Sequence, residues 1–232
     1  MKEEKRWYIG VDIGGTQLRA ALFGESGLEP LNLKKAATHS PKAQPLDILK
    51  DLIAQVWPAD GTVARIGVGV AGPLNPATGI VYRCPNIPEW QNLALTQLLQ
   101  ERFQTPVAIG NDANLAALAE WKYGAGVGHN DLLYLTISTG IGGGVISEGR
   151  LLTGARGIAA ELGHFTVWPD GPLCGCGHRG HLEAISSGTA ITNFVREQLA
   201  AGRSSSLSTR LDELNASLIS SAAREGDPLA AE

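Results

Sequence analysis

Apolar and polar positions divide the chain into short buried strands, glycine-rich turns and amphipathic helices. Trp7-Tyr-Ile-Gly-Val-Asp12 and Gln17-Leu-Arg-Ala-Ala-Leu-Phe23 read as two strands joined by the turn Ile13-Gly-Gly-Thr16. From Pro45 to Trp57, Leu46, Leu49, Ile53 and Val56 fall at helical spacing, and Ala64 to Val70 is an apolar run of strand length. Glycine and proline make Ala71 to Pro76 a loop, and Cys84 to Trp90 another, with a short strand at Gly79 to Tyr82 between them. Leu93 to Phe103 reads as a helix and Pro106 to Ile109 as a buried strand. Asn114 to Tyr123 then reads as a helix stopped by Gly124.

The second half repeats the layout of the first. Asp131 to Ile137 is an apolar strand, Ser138-Thr-Gly-Ile-Gly-Gly-Gly144 a glycine turn, Val145 to Ser147 a second strand, and Glu148-Gly149 a turn. Two strand–glycine turn–strand units predict two related α/β halves, each aiming a glycine-rich hairpin at a shared cleft. Further on, Ala184 to Ala200 and Leu211 to Glu225 read as helices, separated by a serine-rich break after Arg203.

Three clusters of polar residues carry candidate chemistry. Asp112, in Gly110-Asn-Asp-Ala113, sits where a strand hands over to a helix. There its carboxylate either caps the helix or faces a ligand. In the first turn, Gly14 and Gly15 permit positive φ and a close backbone approach. Backbone N–H groups with the Thr16 hydroxyl can hold phosphate, and Asp12 can hold the water shell of Mg²⁺; an ordinary Gly-Gly hairpin is the competing reading. No Walker lysine motif is present and no helix follows the turn, so neither a P-loop nor a dinucleotide fold is supported. His164, Cys174, Cys176 and His181 have the residue types and close spacing of a four-ligand structural zinc site, with His178 a rival fourth ligand.

Composition narrows the field. The 232 residues suffice for one large domain or two small ones, and the net charge of −4 offers no electrostatic case for nucleic acid or an anionic membrane. No apolar run reaches membrane-spanning length, and the charged Met1-Lys-Glu-Glu-Lys-Arg6 is unlike a secretory leader. Three cysteines, two of them one residue apart, argue for a reduced, cytoplasmic compartment rather than a disulfide framework.

Taken together, Asp12-Ile-Gly-Gly-Thr16, Gly69-Val-Ala-Gly-Pro73, Asn111-Asp-Ala-Asn114, Ser138-Thr-Gly-Ile-Gly-Gly143, Glu161-Leu-Gly-His164 and Cys174 to Glu183 resemble the ROK family of sugar kinases and sugar-responsive repressors, most closely its bacterial glucokinase branch. The resemblance runs from about Trp7 to Thr189. It implies an α/β fold of two actin-like (ribonuclease H-like) domains with a cleft between them. Residues 1–122 would form the N-terminal domain with the phosphate hairpin and the catalytic Asp. Residues 123–232 would form a second domain with the zinc loop, incomplete at its C-terminal end.

The resemblance also implies ATP-dependent phosphorylation of a hexose, glucose to glucose 6-phosphate in carbohydrate metabolism and glycolysis, with Asp112 as general base. Gly72, Asn86, Asn111, Glu161, His164 and Glu183 match positions that contact the sugar. Asp12, Gly14, Gly15, Thr16, Thr139 and Gly140 match the nucleotide side. ATP, Mg²⁺ and a structural Zn²⁺ follow as cofactors, and a homodimer or homotetramer as the assembly. Relatives commonly have a third cysteine at the position of His181; two thiolates and two imidazoles are still a sound zinc set. N-acetylmannosamine, N-acetylglucosamine and fructose are alternative substrates, and a non-catalytic sugar-binding fragment is an alternative role. A repressor would carry a helix-turn-helix segment before the first Gly-Gly hairpin, where this sequence has only a short charged stretch.

Overall fold

Strands β1 (Arg6–Ile13) and β2 (Gln17–Gly24) form an antiparallel hairpin with Ile13 opposite Leu18, as the alternation around the first glycine turn predicts. The structure, a computed structural model, describes residues 5–232. β3 (Asn32–Ala37) adds to the outer edge of β2. On the other side of β1 lies β4 (Thr62–Val70), parallel to it, and then β8 (Val107–Asn111), parallel to β4. The sheet order is β3-β2-β1-β4-β8. Its register brings three carboxyl ends level: Asp12 is beside Gly69, and Gly69 beside Gly110. Open α/β sheets bind ligands at this end of their parallel strands.

Helix α1 (Pro45–Gln55) packs Leu49, Leu52 and Ile53 into the core, and Pro45 pre-sets φ in its first turn. Helix α2 (Leu95–Phe103) adds Leu95 and Leu99. With Ile9, Leu18, Ile66 and Val68 from the strands they form one continuous core, each fully buried Leu or Ile contributing roughly 1.5–3 kcal/mol. That core fixes the strand ends on which Asp12 and Asp112 are mounted.

Several expectations are corrected. Cys84 to Trp90 is not a loop: β6 (Ile80–Cys84) and β7 (Ile87–Leu93) form a hairpin that turns at Pro85-Asn86, with Cys84 opposite Ile87. Pro88 concealed the strand. It is tolerated because β7 is an edge in the order β5-β6-β7, where β5 is Leu74–Asn75. β3 was not anticipated; it is an edge strand whose Lys34 and Lys35 face solvent, a pattern that protects an open edge and hides the alternation. The expected helix from Ala184 to Ala200 is two helices, α4 (Leu182–Ser186) and α5 (Gly188–Ala200). Ser187 is extended between them and accepts the Ala190 N–H as the cap of α5. Likewise Leu211 to Glu225 is a short 3₁₀ turn at Leu211–Glu213 followed by α6 (Ala216–Arg224), because Asn215 is extended and caps α6.

Contacts divide the chain into two compact units. The first is Met1–Leu132 with Val145–Ala159, and the second Leu133–Gly144 with Ala160–Glu232. In the second, α5 and α6 bury Val195, Ile219 and Ala222 together with Leu207, Leu214 and Leu229. A three-stranded sheet has the order β11-β10-β9, from β9 (Leu132–Ile137), β10 (Ile141–Ser147) and β11 (Arg150–Leu151). β10 starts at Ile141 rather than at Val145 and so takes in the glycines; a Cβ on Gly143 would overlap Leu162. Among the described residues no helix is long and apolar enough to cross a membrane.

Candidate functional site

In the first unit, the junction of β8 and α3 (Asp112–Tyr123) separates two duties that the sequence left on one residue. Asn111 is the helix cap: its side chain accepts the Asn114 N–H at 3.2 Å. Asp112 is the first helical residue, and its carboxylate accepts the adjacent Ala113 N–H at 2.9 Å and its own backbone N–H. The amide of Asn111 also donates to the Gly72 carbonyl at 3.4 Å, tying this junction to the loop after β4. Gly72 has φ +106°, and a Cβ there would lie 2.7 Å from the Arg83 carbonyl, so only glycine fits.

Asp112 is reachable by solvent, yet the surrounding protein displaces enough water to push its carboxyl above the usual carboxylate range. The Ala113 N–H pulls the other way, and the nearby Asp12 carboxylate adds to the upward push. Asp12 itself pairs with Arg19 at 3.3 Å, an exposed contact that solvent screens.

The first glycine turn is held from outside. Gly14 donates to the Gln17 carbonyl at 3.0 Å across the turn. Thr38, fully buried, donates its hydroxyl to the Gly14 carbonyl at 2.7 Å and its N–H to the Thr16 carbonyl at 3.0 Å. Neither Gly14 nor Gly15 has positive φ, so these glycines serve close approach rather than a left-handed turn. What approaches Gly15 is Asn86: a Cβ on Gly15 would lie 2.6 Å from the Asn86 Cγ. His39 Nε2 lies 2.8 Å from the Asn86 carbonyl.

In the second unit, Ser138-Thr139-Gly140 forms the corresponding turn, closed by the Ser138 N–H donating to the Gly140 carbonyl at 2.9 Å. Glu183 on α4 accepts the Ile141 N–H at 2.8 Å, and a Cβ on Gly140 would overlap its carboxylate. The Gly188 N–H at the start of α5 donates to the Ser138 carbonyl at 2.8 Å. Two cavities adjoin this turn. One of about 530 Å³ is lined by Ser138, Thr139, Thr189, Arg196 and Asn215, and another of about 390 Å³ by Thr139, Gly140, Cys174 and Glu183. Ile137, Ile191 and Leu214 also line the first and Leu173 and Ala184 the second, so both walls mix apolar and polar groups, as small-molecule sites do.

The donor atoms of His164, Cys174, Cys176 and His181 all lie within 4.8 Å of one another. His164 Nδ1 is 3.6 Å from Cys174 Sγ, and His181 Nδ1 is 3.2 Å from Cys176 Sγ. Tetrahedral zinc with its usual bond lengths sets neighbouring N and S ligands about 3.5 Å apart. The four donors therefore fit the metal. His178 lies outside this group; its ring stacks on His181, with Nδ1 3.8 Å from Cys176 Sγ. The loop closes tightly because the Cys174 N–H donates to the His178 carbonyl and Gly177 adopts φ +94°. Cys84 is buried in the first core and explains the odd cysteine count.

The expected residues thus fall into two groups. Asp12, Gly14, Gly15, Thr16, Gly72, Asn86, Asn111 and Asp112 belong to the first unit. Thr139, Gly140, Glu161, His164, Cys174, Cys176, His181 and Glu183 belong to the second. Thr38 and His39 were not anticipated. They follow the edge strand that the apolar pattern hides, and no local motif marks them.

The ROK family sequence pattern matches residues 8–232. The chain is 42% identical over 230 residues to a glucokinase of Thermotoga maritima, covering 96% of this chain and 71% of that protein. It is 35% identical over 222 residues to an N-acetylmannosamine kinase of Escherichia coli, covering 93% of this chain and 74% of the other. The structure superposes with a TM-score of 0.76, at 36% identity, on a ROK family glucokinase of Streptomyces griseus in complex with glucose and AMPPNP, covering 97% of this chain and 73% of that one. Its mixed α/β architecture is the actin-like one of such sugar kinases. Motif order, fold and extent of match agree, and the chain belongs to the ROK family.

Proposed function

We propose that this protein transfers the γ-phosphoryl group of ATP to a hexose, converting glucose to glucose 6-phosphate, with Asp112 accepting the proton of the attacking sugar hydroxyl. The observation that carries the reading is the division of labour at the β8–α3 junction. Asn111 caps the helix, which leaves Asp112 a solvent-reachable carboxylate of raised pKa at the end of the parallel strands. A raised pKa improves a carboxylate as a proton acceptor, since basicity rises toward the working pH.

Asn86, Asn111, Glu161, His164 and Glu183, with the Gly72 backbone, are assigned to the sugar hydroxyls. Such a donor–acceptor set discriminates between epimers because a misplaced hydroxyl leaves polar groups unpaired. The backbone at Gly14, Gly15, Thr139 and Gly140 and the hydroxyls of Thr16 and Thr139 are assigned to the phosphates. Asp12 would hold Mg²⁺ through its water shell, and the ion, when bound, neutralises phosphate charge. Zinc, held by His164, Cys174, Cys176 and His181, fills all four positions and serves structure, not chemistry. His164 uses Nδ1 on the cysteine side, and its Nε2 remains for the sugar. Two free thiolate ligands persist best in a reducing compartment, which supports a cytoplasmic setting, and the glycolytic role rests on glucose 6-phosphate as the proposed product. By resemblance the assembly is a homodimer or homotetramer.

N-acetylmannosamine is the second reading, favoured by the 35% identity to a kinase for that sugar. A panel of glucose, N-acetylmannosamine, N-acetylglucosamine and fructose with ATP separates the two. Asp112→Asn tests the chemistry: transfer falls by about 10²–10⁴-fold while hexose affinity stays within about tenfold. Near-normal turnover in that variant contradicts the assignment.

A further inference from the structure

We propose that the dipeptide Thr38-His39 is a positioning clasp that holds the first glycine turn and the Asn86 hairpin in one arrangement, so that the sugar contact at Asn86 is set by His39. The inference rests on the assignment of Asn86 to the hexose and of the Gly14–Thr16 turn to phosphate. The observations are contacts among three segments far apart in sequence and joined within one compact unit. Thr38 makes two bonds to the glycine turn, through its hydroxyl to Gly14 and its N–H to Thr16. The next residue, His39, reaches the Asn86 carbonyl at 2.8 Å. Asn86 completes the circuit by laying its side chain on Gly15.

The partner of His39 fixes its chemistry. A carbonyl oxygen only accepts, so Nε2 carries the proton and donates. Asn86 occupies the tip of a two-residue turn on an edge hairpin, and its side chain is exposed. Such a tip is mobile unless tied down. His39 lies two residues beyond the end of β3, so its bond to the Asn86 carbonyl ties the β6–β7 turn to the segment that leaves the five-stranded sheet. Thr38, by contrast, is fully buried, and its bonds satisfy carbonyls that the glycine turn would otherwise leave unpaired. One dipeptide therefore braces the turn with its buried residue and the hairpin tip with its exposed one. Ordering Asn86 before the sugar arrives lowers the entropy cost of binding, which is how a residue that touches no substrate acts on affinity.

The test compares His39→Ala, His39→Gln and Asn86→Ala in the zinc-loaded full chain, with glucose binding measured by calorimetry and kcat and KM measured separately. Gln places an N–H donor near the position of Nε2. The clasp predicts that His39→Ala weakens glucose binding about 3- to 10-fold and raises the glucose KM in step. It also predicts that kcat stays within about twofold, that His39→Gln returns affinity to within about twofold of the parent, and that the melting temperature shifts little because His39 is exposed. Unchanged glucose affinity in His39→Ala, with weakened affinity in Asn86→Ala, overturns the clasp and keeps the sugar site. Unchanged affinity in both overturns the clasp and the Asn86 assignment together. A wild-type protein that binds neither glucose nor N-acetylmannosamine overturns the functional reading and the clasp with it.

Discussion

The two glycine turns share a strand–turn–strand layout and differ in what supports them. In the first unit, β1 lies inside a five-stranded sheet, flanked by β2 and β4, and Thr38 and Asn86 brace its turn. In the second, β9 has one paired neighbour among the described residues, and Leu133 and Ile137 on it are more than 60% exposed. There the turn is braced by Glu183 and the start of α5, next to the cysteine loop. The comparison teaches that one motif can be made rigid in two ways. In the first unit an apolar core carries the strands, and the two bonds from buried Thr38, with Asn86, hold the turn itself. In the second, the buried cluster is smaller, and the turn is held by bonds to Glu183 and from α5, with Cys174 of the donor set beside Glu183.

If that contrast is right, stripping the donor set is the most damaging change to the second unit. Elemental analysis should find about one zinc per chain. Chelation, or Cys176→Ser, should lower the melting temperature by about 10 °C or more and weaken glucose binding before nucleotide binding. A metal-free protein with unchanged melting and glucose affinity would break the comparison.

A smaller effect is expected at Asp227, a buried carboxylate that accepts the Ala230 and Ser206 N–H groups and the Ser205 and Ser206 hydroxyls. These donors hold its carboxyl well below the usual range. The folded pKa is depressed, so its stabilisation is present above the unfolded value of about 3.9 and is lost as pH falls toward the folded one. Asp227→Asn should lower the melting temperature at pH 7 by about 5 °C and make melting less sensitive to acid. Differential scanning calorimetry between pH 3 and 7 checks both. An unchanged acid dependence would mean that the bonds at Asp227 do not support the second unit.

In the first unit the gentlest change is Gly15→Ala. Its Cβ would meet the exposed Asn86 side chain, which can swing away at little cost in stability. Steady-state kinetics should show the KM for glucose and for ATP rising together, about 3- to 10-fold, with an unchanged melting temperature. A rise confined to ATP would mean that the turn and the Asn86 hairpin act independently.

The sequence announced these two turns because glycines between apolar strands have few other uses. It announced the four metal donors because two cysteines one residue apart with flanking histidines are a strong chemical signal. Less legible was how the turns are supported. β3 is an exposed edge strand with lysines where alternation would show, so Thr38 and His39 had no context. Pro88 made β7 look like a loop and hid the turn that presents Asn86. Ser187 and Asn215 are caps inside stretches of helical composition, and cap geometry depends on the backbone that the rest of the fold imposes. The capping role of Asn111 was hidden for the same reason: Asn and Asp are adjacent, both are preferred caps, and only the register of β8 selects between them.

That selection is the centre of the account, and the ionisation of Asp112 tests it most directly. Carbon-13 NMR of the Asp112 carboxyl, titrated in Mg²⁺-free protein, should show a pKa above the ordinary aspartate value of about 3.9, because lost hydration raises it and the Asp12 carboxylate adds to the shift. In Asp12→Asn that second push is absent, and the titration should move back down. A carboxyl that titrates below the ordinary value, unmoved by Asp12→Asn, would show Asp112 tied up as a helix cap and contradict its assignment as the proton acceptor.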